Sequence, residues 1–275
     1  MAGQIRICVA PFHNHSLRLM GRVRPEIEKT RKFMRPLSQK TIGLLGGCSN
    51  VATMEYYRFL NTEANTRLGG WDIAETLIAG MNFGNIEAMV RLGDWDGLSA
   101  YMRRKVDGLV AGGADVILCV SNTLHKPLEV IAADIPVPLI HITDPAGEAI
   151  QAAGLDRVAL FGTLPVMRMD YLKNRYRTKF GIEVVSPTDM EQEEIDRIIF
   201  DELVKGQLRD RSRQRYIEIA QRMRREEQAQ CLILGCTEIF LLIDQPDMPD
   251  FPMFNTAKLH CDAAVNFALD ALHRD

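Results

Sequence analysis

The chain has 275 residues, 47% of them apolar, with a formal charge of −3 and a pI near 6.1. That length and composition suit one large or two modest globular domains. The near balance of charge leaves no electrostatic footprint for a nucleic-acid partner, and no apolar run reaches the roughly 18 residues that a membrane span needs.

Residues 1–40 open with "IRICVAPF", which reads as a strand, followed by the basic, mixed stretch "RVRPEIEKTRKFMRP". This stretch lacks the long apolar core of a secretory signal, and Glu26 and Glu28 argue against an organellar targeting segment. It is expected to be an N-terminal extension. "TIGLLGG" (41–47) then reads as a strand and a glycine turn, and helical patterns follow over 49–65 and 85–111. "ADVILCVSNT" is a buried strand that ends on three small polar residues, Ser121, Asn122 and Thr123, with His125 just behind. Pro127, Pro136, Pro138 and Pro145 break the chain before a helical stretch at 145–153. "RVALFGT" (157–163) repeats the strand and glycine turn, with helical patterns over 165–179 and 191–227. A second long apolar run, "AQCLILGCTE", ends on Cys236, Thr237 and Glu238, and 256–273 reads as a closing helix.

These segments repeat. Ile42 matches Val158 at an offset of 116, and Ser121 matches Cys236 at an offset of 115. Such a nearly constant spacing argues for an internal duplication. Continuous Val/Ile/Leu runs between helices predict parallel sheets covered on both faces. The expected fold is α/β: two similar lobes, each a central parallel sheet flanked by helices, related by pseudo-twofold symmetry. The expected organisation is an N-terminal extension (1–40), a first lobe (41–150), a second lobe (151–255), and a closing helix (256–275) that packs back on the first lobe.

Ligands of open parallel sheets bind outside the carboxyl ends of the strands. The polar strand ends therefore point at one place, and a pseudo-twofold would set Ser121 and Cys236 across a cleft from each other. Two groups on opposite sides of one carbon can remove a proton from one face and return one to the other. The six cysteines (Cys8, Cys48, Cys119, Cys231, Cys236 and Cys261) show no paired metal spacing and read as free thiols of a reducing cytoplasm. No G-x-G-x-x-G pattern or cofactor-anchoring lysine is present, so neither cofactor nor metal is expected.

From about Thr41 to the C-terminus the chain resembles the cofactor-independent aspartate/glutamate racemase family. The likeness is carried by "GLLGGCSNVATMEYYRFLN", "SNTLHK", "RVALFGT", "IIFDEL" and "LILGCTEI". The resemblance implies two α/β lobes with the active site between them, a homodimer, and a small substrate with an α-carboxylate that is inverted without pyridoxal phosphate. Family members pair two cysteines as acid and base, from motifs of the type "CNTxH" and "GCTE". Here the second motif is intact, with Cys236 as thiolate base or acid and Glu238 supporting it. In the first, Ser121 stands where cysteine is usual. The relatives that this chain resembles most, an L-aspartate/glutamate-specific bacterial branch, have threonine there and still racemise. Cys119 lies two residues back on an alternating strand and is expected in the core.

Each candidate also has a plainer reading. Cys236 could be a small buried apolar group. Ser121 could relay a proton or only bind the carboxylate. Asn122, Thr123 and Thr237 carry donors suited to an α-carboxylate, or cap turns. Ser49 and Asn50 follow the glycine pair and could complete that pocket. His125 could polarise the hydroxyl or hold the loop. Glu194 stands where the resemblance places a lysine that meets the substrate's side-chain carboxylate; it either inverts that charge or faces water. Arg168 and Lys173 are the cations that could reach in. The runner-up functions are an arylmalonate-decarboxylase-like or other single-cysteine enzyme of the same fold group, and a non-catalytic amino-acid-binding relative.

Overall fold

The computed structural model describes residues 39–270. The expected strand "IRICVAPF" and the last residues of the closing segment lie outside the described residues. β1 (Ile42–Gly46) is buried along its whole length, as its unbroken apolar sequence requires. It pairs in parallel with β2 (Thr76–Gly80) on one side and β3 (Val116–Cys119) on the other. Beyond β3, Ile117 makes a single parallel bridge to Leu139. The bridge stays short because Pro136 and Pro138 lack the N–H groups a longer ladder needs.

The second sheet repeats this plan. β4 (Arg157–Phe161) pairs in parallel with β5 (Glu183–Val185) and β6 (Cys231–Leu234), and β6 pairs with β7 (Met253–Asn255). The orders are β2-β1-β3 and β5-β4-β6-β7, so β7 is the full-length counterpart of the Leu139 bridge.

In the first lobe, α1 (Asn50–Leu68) follows β1, α2 (Phe83–Leu92) and α3 (Trp95–Ala111) follow β2, and α4 (His125–Ala132) follows β3. The helical pattern over 85–111 is two helices, because Gly93 adopts φ 69° to end α2 and Asp94 caps α3 by accepting the Gly97 N–H. In the second lobe the helices are α6 (Leu164–Arg168), α7 (Asp170–Phe180), α8 (Asp189–Asp201), α9 (Asp210–Glu226) and α10 (Ile239–Leu242). A capping box between Thr188 and Glu191 starts α8, and a short 3-10 turn at Leu203–Lys205 separates α8 from α9.

The helix that ends each half crosses to the other. α5 (Thr143–Ala152) places Ala146 and Ile150 in a core with Val158, Leu160 and Tyr176 of the second lobe. α11 (Thr256–Leu269) places Ala257, Cys261 and Val265 in a core with Ile42, Tyr56 and Val116 of the first. No helix among the described residues is long and apolar enough to cross a membrane.

Candidate functional site

The turn after β1 is the tightest near the site. Gly47 has φ 88°, and a Cβ there would lie 2.2 Å from the Met81 carbonyl oxygen, so only glycine fits. This turn delivers Ser49 to the N-terminus of α1, where it accepts the Ala52 N–H. Ser49 is buried, and its hydroxyl donates to Glu238 Oε1 at 2.8 Å.

Glu238 is 1% exposed and gathers three donors. Ser49 reaches Oε1, while the Thr237 hydroxyl (2.9 Å) and the Cys236 thiol (3.2 Å) reach Oε2. Burial pushes the Glu238 carboxyl above its usual range, against the pull of those hydrogen bonds. Burial, and then the Glu238 charge, push the Cys236 thiol well above the ordinary thiol range. The proton therefore rests on sulfur and points at a carboxylate able to take it. Cys236 is half-buried, whereas Cys48, Cys119, Cys231 and Cys261 are buried. Cys119 lies in the first-lobe core, where the strand alternation places it.

Ser121, at the end of β3, is held by its backbone. His125 is fully buried; its Nε2 accepts the Ile142 N–H at 3.1 Å, which fixes the neutral tautomer with the proton on Nδ1. Nδ1–H then donates to the Ser121 carbonyl at 2.7 Å. Burial, with His141 and His260 nearby, holds His125 far below the usual imidazole range, so it stays uncharged. The imidazole thus holds the loop and does not bond the hydroxyl. Ser121 Oγ accepts a long bond, 3.4 Å, from the Leu124 N–H.

The remaining strand-end groups tie the two lobes together. The Asn122 side chain donates to Thr256 Oγ1 at 3.2 Å, and the Asn122 backbone carbonyl accepts the Tyr171 hydroxyl. Thr123 Oγ1 lies 3.0 Å from Thr163 Oγ1.

Ser121, Asn122, Thr123, Cys236, Thr237 and Glu238 line one cavity of about 220 Å³. Four expected site residues do not line it: Ser49 and His125, which are buried and bond Glu238 and the Ser121 carbonyl, and Asn50 and Glu194. Asn50 is exposed on the first turn of α1. Glu194 lies on α8 but accepts from Arg215 Nε at 2.8 Å and borders a separate surface depression. The helical period explains this placement: α8 presents Asp196, Ile199 and Phe200 to the cavity, and Glu194 is about 200° from Asp196 around the helix. Arg168 bonds Gln192 and Glu193 instead of entering the cavity, and Lys173 does not line it either.

Several lining residues had no chemical signal in the sequence. α2 contributes Phe83, Ile86 and Val90, apolar residues that read as ordinary core. Cys48 also lines the cavity; its thiol is pushed up chiefly by burial. Asp196 accepts the Leu164 N–H at 2.7 Å, and burial, then Glu87, raises its carboxyl against the pull of Arg91 and Arg168. Among the described residues no group of three or more His, Cys, Asp or Glu side chains could hold a metal ion.

Residues 45–264 match the model of the Asp/Glu/hydantoin racemase family. An Asp/Glu-racemase-type protein from Yersinia pestis is 35% identical, with a TM-score of 0.76 over 84% of this chain and 99% of its own. An aspartate racemase homologue from Pyrococcus horikoshii is 30% identical, with a TM-score of 0.73 over 83% of this chain and 99% of its own. Glutamate racemase from Francisella tularensis, solved with D-glutamate, is 13% identical and shares the fold, with a TM-score of 0.60 over 85% of this chain and 82% of its own.

Proposed function

The chain belongs to the Asp/Glu/hydantoin racemase family, and on that premise we propose that it inverts the α-carbon of an amino acid without a cofactor. One observation carries this reading: a thiol bonded to a buried carboxylate and a hydroxyl on the equivalent strand of the other lobe line the same cavity. In the proposed reaction Glu238 takes the thiol proton and the Cys236 thiolate removes the substrate's α-proton. The negative charge passes onto the α-carboxylate, which the donors around Asn122, Thr123 and Thr237 stabilise. A proton then reaches the other face through the Ser121 hydroxyl, which is replenished from a water molecule, and Glu238 returns the thiol's proton to the resulting hydroxide, so that both groups are restored. The reverse direction uses the same groups in the opposite order. The reading extends to a homodimer in the cytoplasm, and the five free cysteines among the described residues support a reducing compartment.

The test is incubation of each enantiomer of a panel of amino acids in deuterium oxide. Deuterium at the α-carbon accompanied by inversion, both lost in Cys236→Ala, supports the reading. Carbon dioxide release from a disubstituted malonate without racemisation would replace it with a decarboxylase. Binding without exchange would leave only a binding protein.

A further inference from the structure

The cavity has two unlike ends. The groups around Cys236 and Ser121 form the polar end. The other end is walled by Phe83, Ile86 and Val90 of α2 and by Ile199, Phe200 and Val204 from the α8 side. The Phe83 and Phe200 rings face each other in parallel from the two lobes, with centroids 6.2 Å apart and planes 5° apart.

The charges on the lining argue against an acidic side chain. Among the described lining residues the charged groups are Glu87, Asp196, Glu238 and Arg91. Arg91 is ion-paired to Glu87, its side chain is 68% exposed, and its guanidinium lies over the Phe200 ring, 5.6 Å from the centroid. The half-buried Asp196 is less exposed than the arginine that would have to serve an incoming carboxylate. A second carboxylate here would lose water and face like charge, whereas an apolar group would replace water against apolar walls.

We infer that the substrate carries an apolar side chain on its α-carbon, branched aliphatic or aromatic, seated between Phe83 and Ile86 on one lobe and Ile199 and Phe200 on the other. The inference rests on the proposed racemase reading for where the α-carbon sits. Glu87 acts as a specificity residue by neutralising Arg91.

The test uses the full chain with leucine, phenylalanine and aspartate as both enantiomers, measuring binding by titration calorimetry and α-proton exchange in deuterium oxide. The expected result is kcat/KM for leucine or phenylalanine at least about tenfold above that for aspartate, the scale on which an apolar pocket discriminates. Glu87→Gln releases Arg91 and should move that ratio toward aspartate by several-fold; Phe200→Ala should weaken phenylalanine most. Binding of the apolar amino acids in preference to aspartate, without exchange, would keep this inference and remove the racemase reading. Preference for aspartate, or no binding of any apolar member at millimolar concentration, would overturn it.

Discussion

At the end of β3, Ser121 presents a hydroxyl whose backbone is clamped by a neutral, fully buried imidazole. At the matching end of β6, Cys236 presents a thiol whose proton points at a buried carboxylate. The topology around the two positions is the same, down to the crossing helices α5 and α11. The side chains have diverged: at the repeat offset of 115, Thr123 matches Glu238, and His125 matches Phe240. A duplicated scaffold can therefore present a similar geometry with unequal chemistry. Under the proposed reading, the second-lobe end is equipped to move a proton and the first-lobe end to hold a donor still.

The largest expected effect is on the thiol side. Cys236→Ala should lower kcat/KM by about 10²–10⁴, the usual contribution of a positioned acid or base. Its melting temperature should stay close to wild type, because Cys236 is only half-buried; activity within tenfold of wild type would remove the sulfur from the mechanism.

Glu238→Gln separates the carboxylate from the thiol. Without the charge, the Cys236 pKa falls, so alkylation at neutral pH should speed up several-fold while turnover drops by about 10-fold or more. Faster alkylation together with slower turnover distinguishes a proton acceptor from a mere packing partner. Because burial raises the Glu238 carboxyl, the acid limb of the wild-type kcat/KM profile should lie above pH 4.5 and vanish in the variant.

The two ends should also answer to pH with opposite signs. His125 and His260 are held below 6.5 by burial, His260 at about 3. Their contribution to stability is complete above the unfolded value of 6.5 and is lost as pH falls toward the folded values. Each costs up to about 1.4 kcal/mol per pH unit over that window. Glu238 is raised, so its contribution is complete below 4.5 and is lost as pH rises through the folded value. The urea midpoint should accordingly fall between about pH 6.5 and pH 5 in the wild type, and an unchanged midpoint would contradict the buried neutral histidines.

The smallest effect is expected at Glu194. Glu194→Lys loses only a partly exposed ion pair with Arg215, worth up to about 1 kcal/mol. The ratio of kcat/KM for aspartate to that for a neutral amino acid should stay within about twofold, well under the 1.4 kcal/mol that a tenfold change represents. A tenfold change would return this residue to the cleft.

Much of this arrangement was legible in the sequence because continuous apolar runs mark strands buried on both faces. β1, β3, β4 and β6 could be read in that way. β2 could not: its TLIAG segment is an edge strand with no fully buried position, so it lacks that signature. β5 and β7 have three residues each, too short for a periodic signal. The polar strand ends were legible because small polar residues rarely close a buried run without cause. The apolar wall was not, because Phe83, Ile86 and Phe200 look the same in sequence whether they face a core or a cavity. The two readings of Glu194 stayed open in the sequence because a motif fixes a residue's position along a helix, while the face it presents depends on how that helix packs.

The central claim is that two different groups serve the two faces of one carbon, and Ser121→Ala in deuterium oxide tests it most directly. Because enantiomers have equal free energy, wild-type kcat/KM must be equal in both directions, so racemisation rates alone cannot separate the faces. Exchange without inversion can. The account predicts that Ser121→Ala still incorporates deuterium into the one enantiomer whose α-proton faces Cys236, with little inversion, and that adding Cys236→Ala abolishes this exchange. Undiminished racemisation by Ser121→Ala, or exchange of both enantiomers at equal rates, would contradict it.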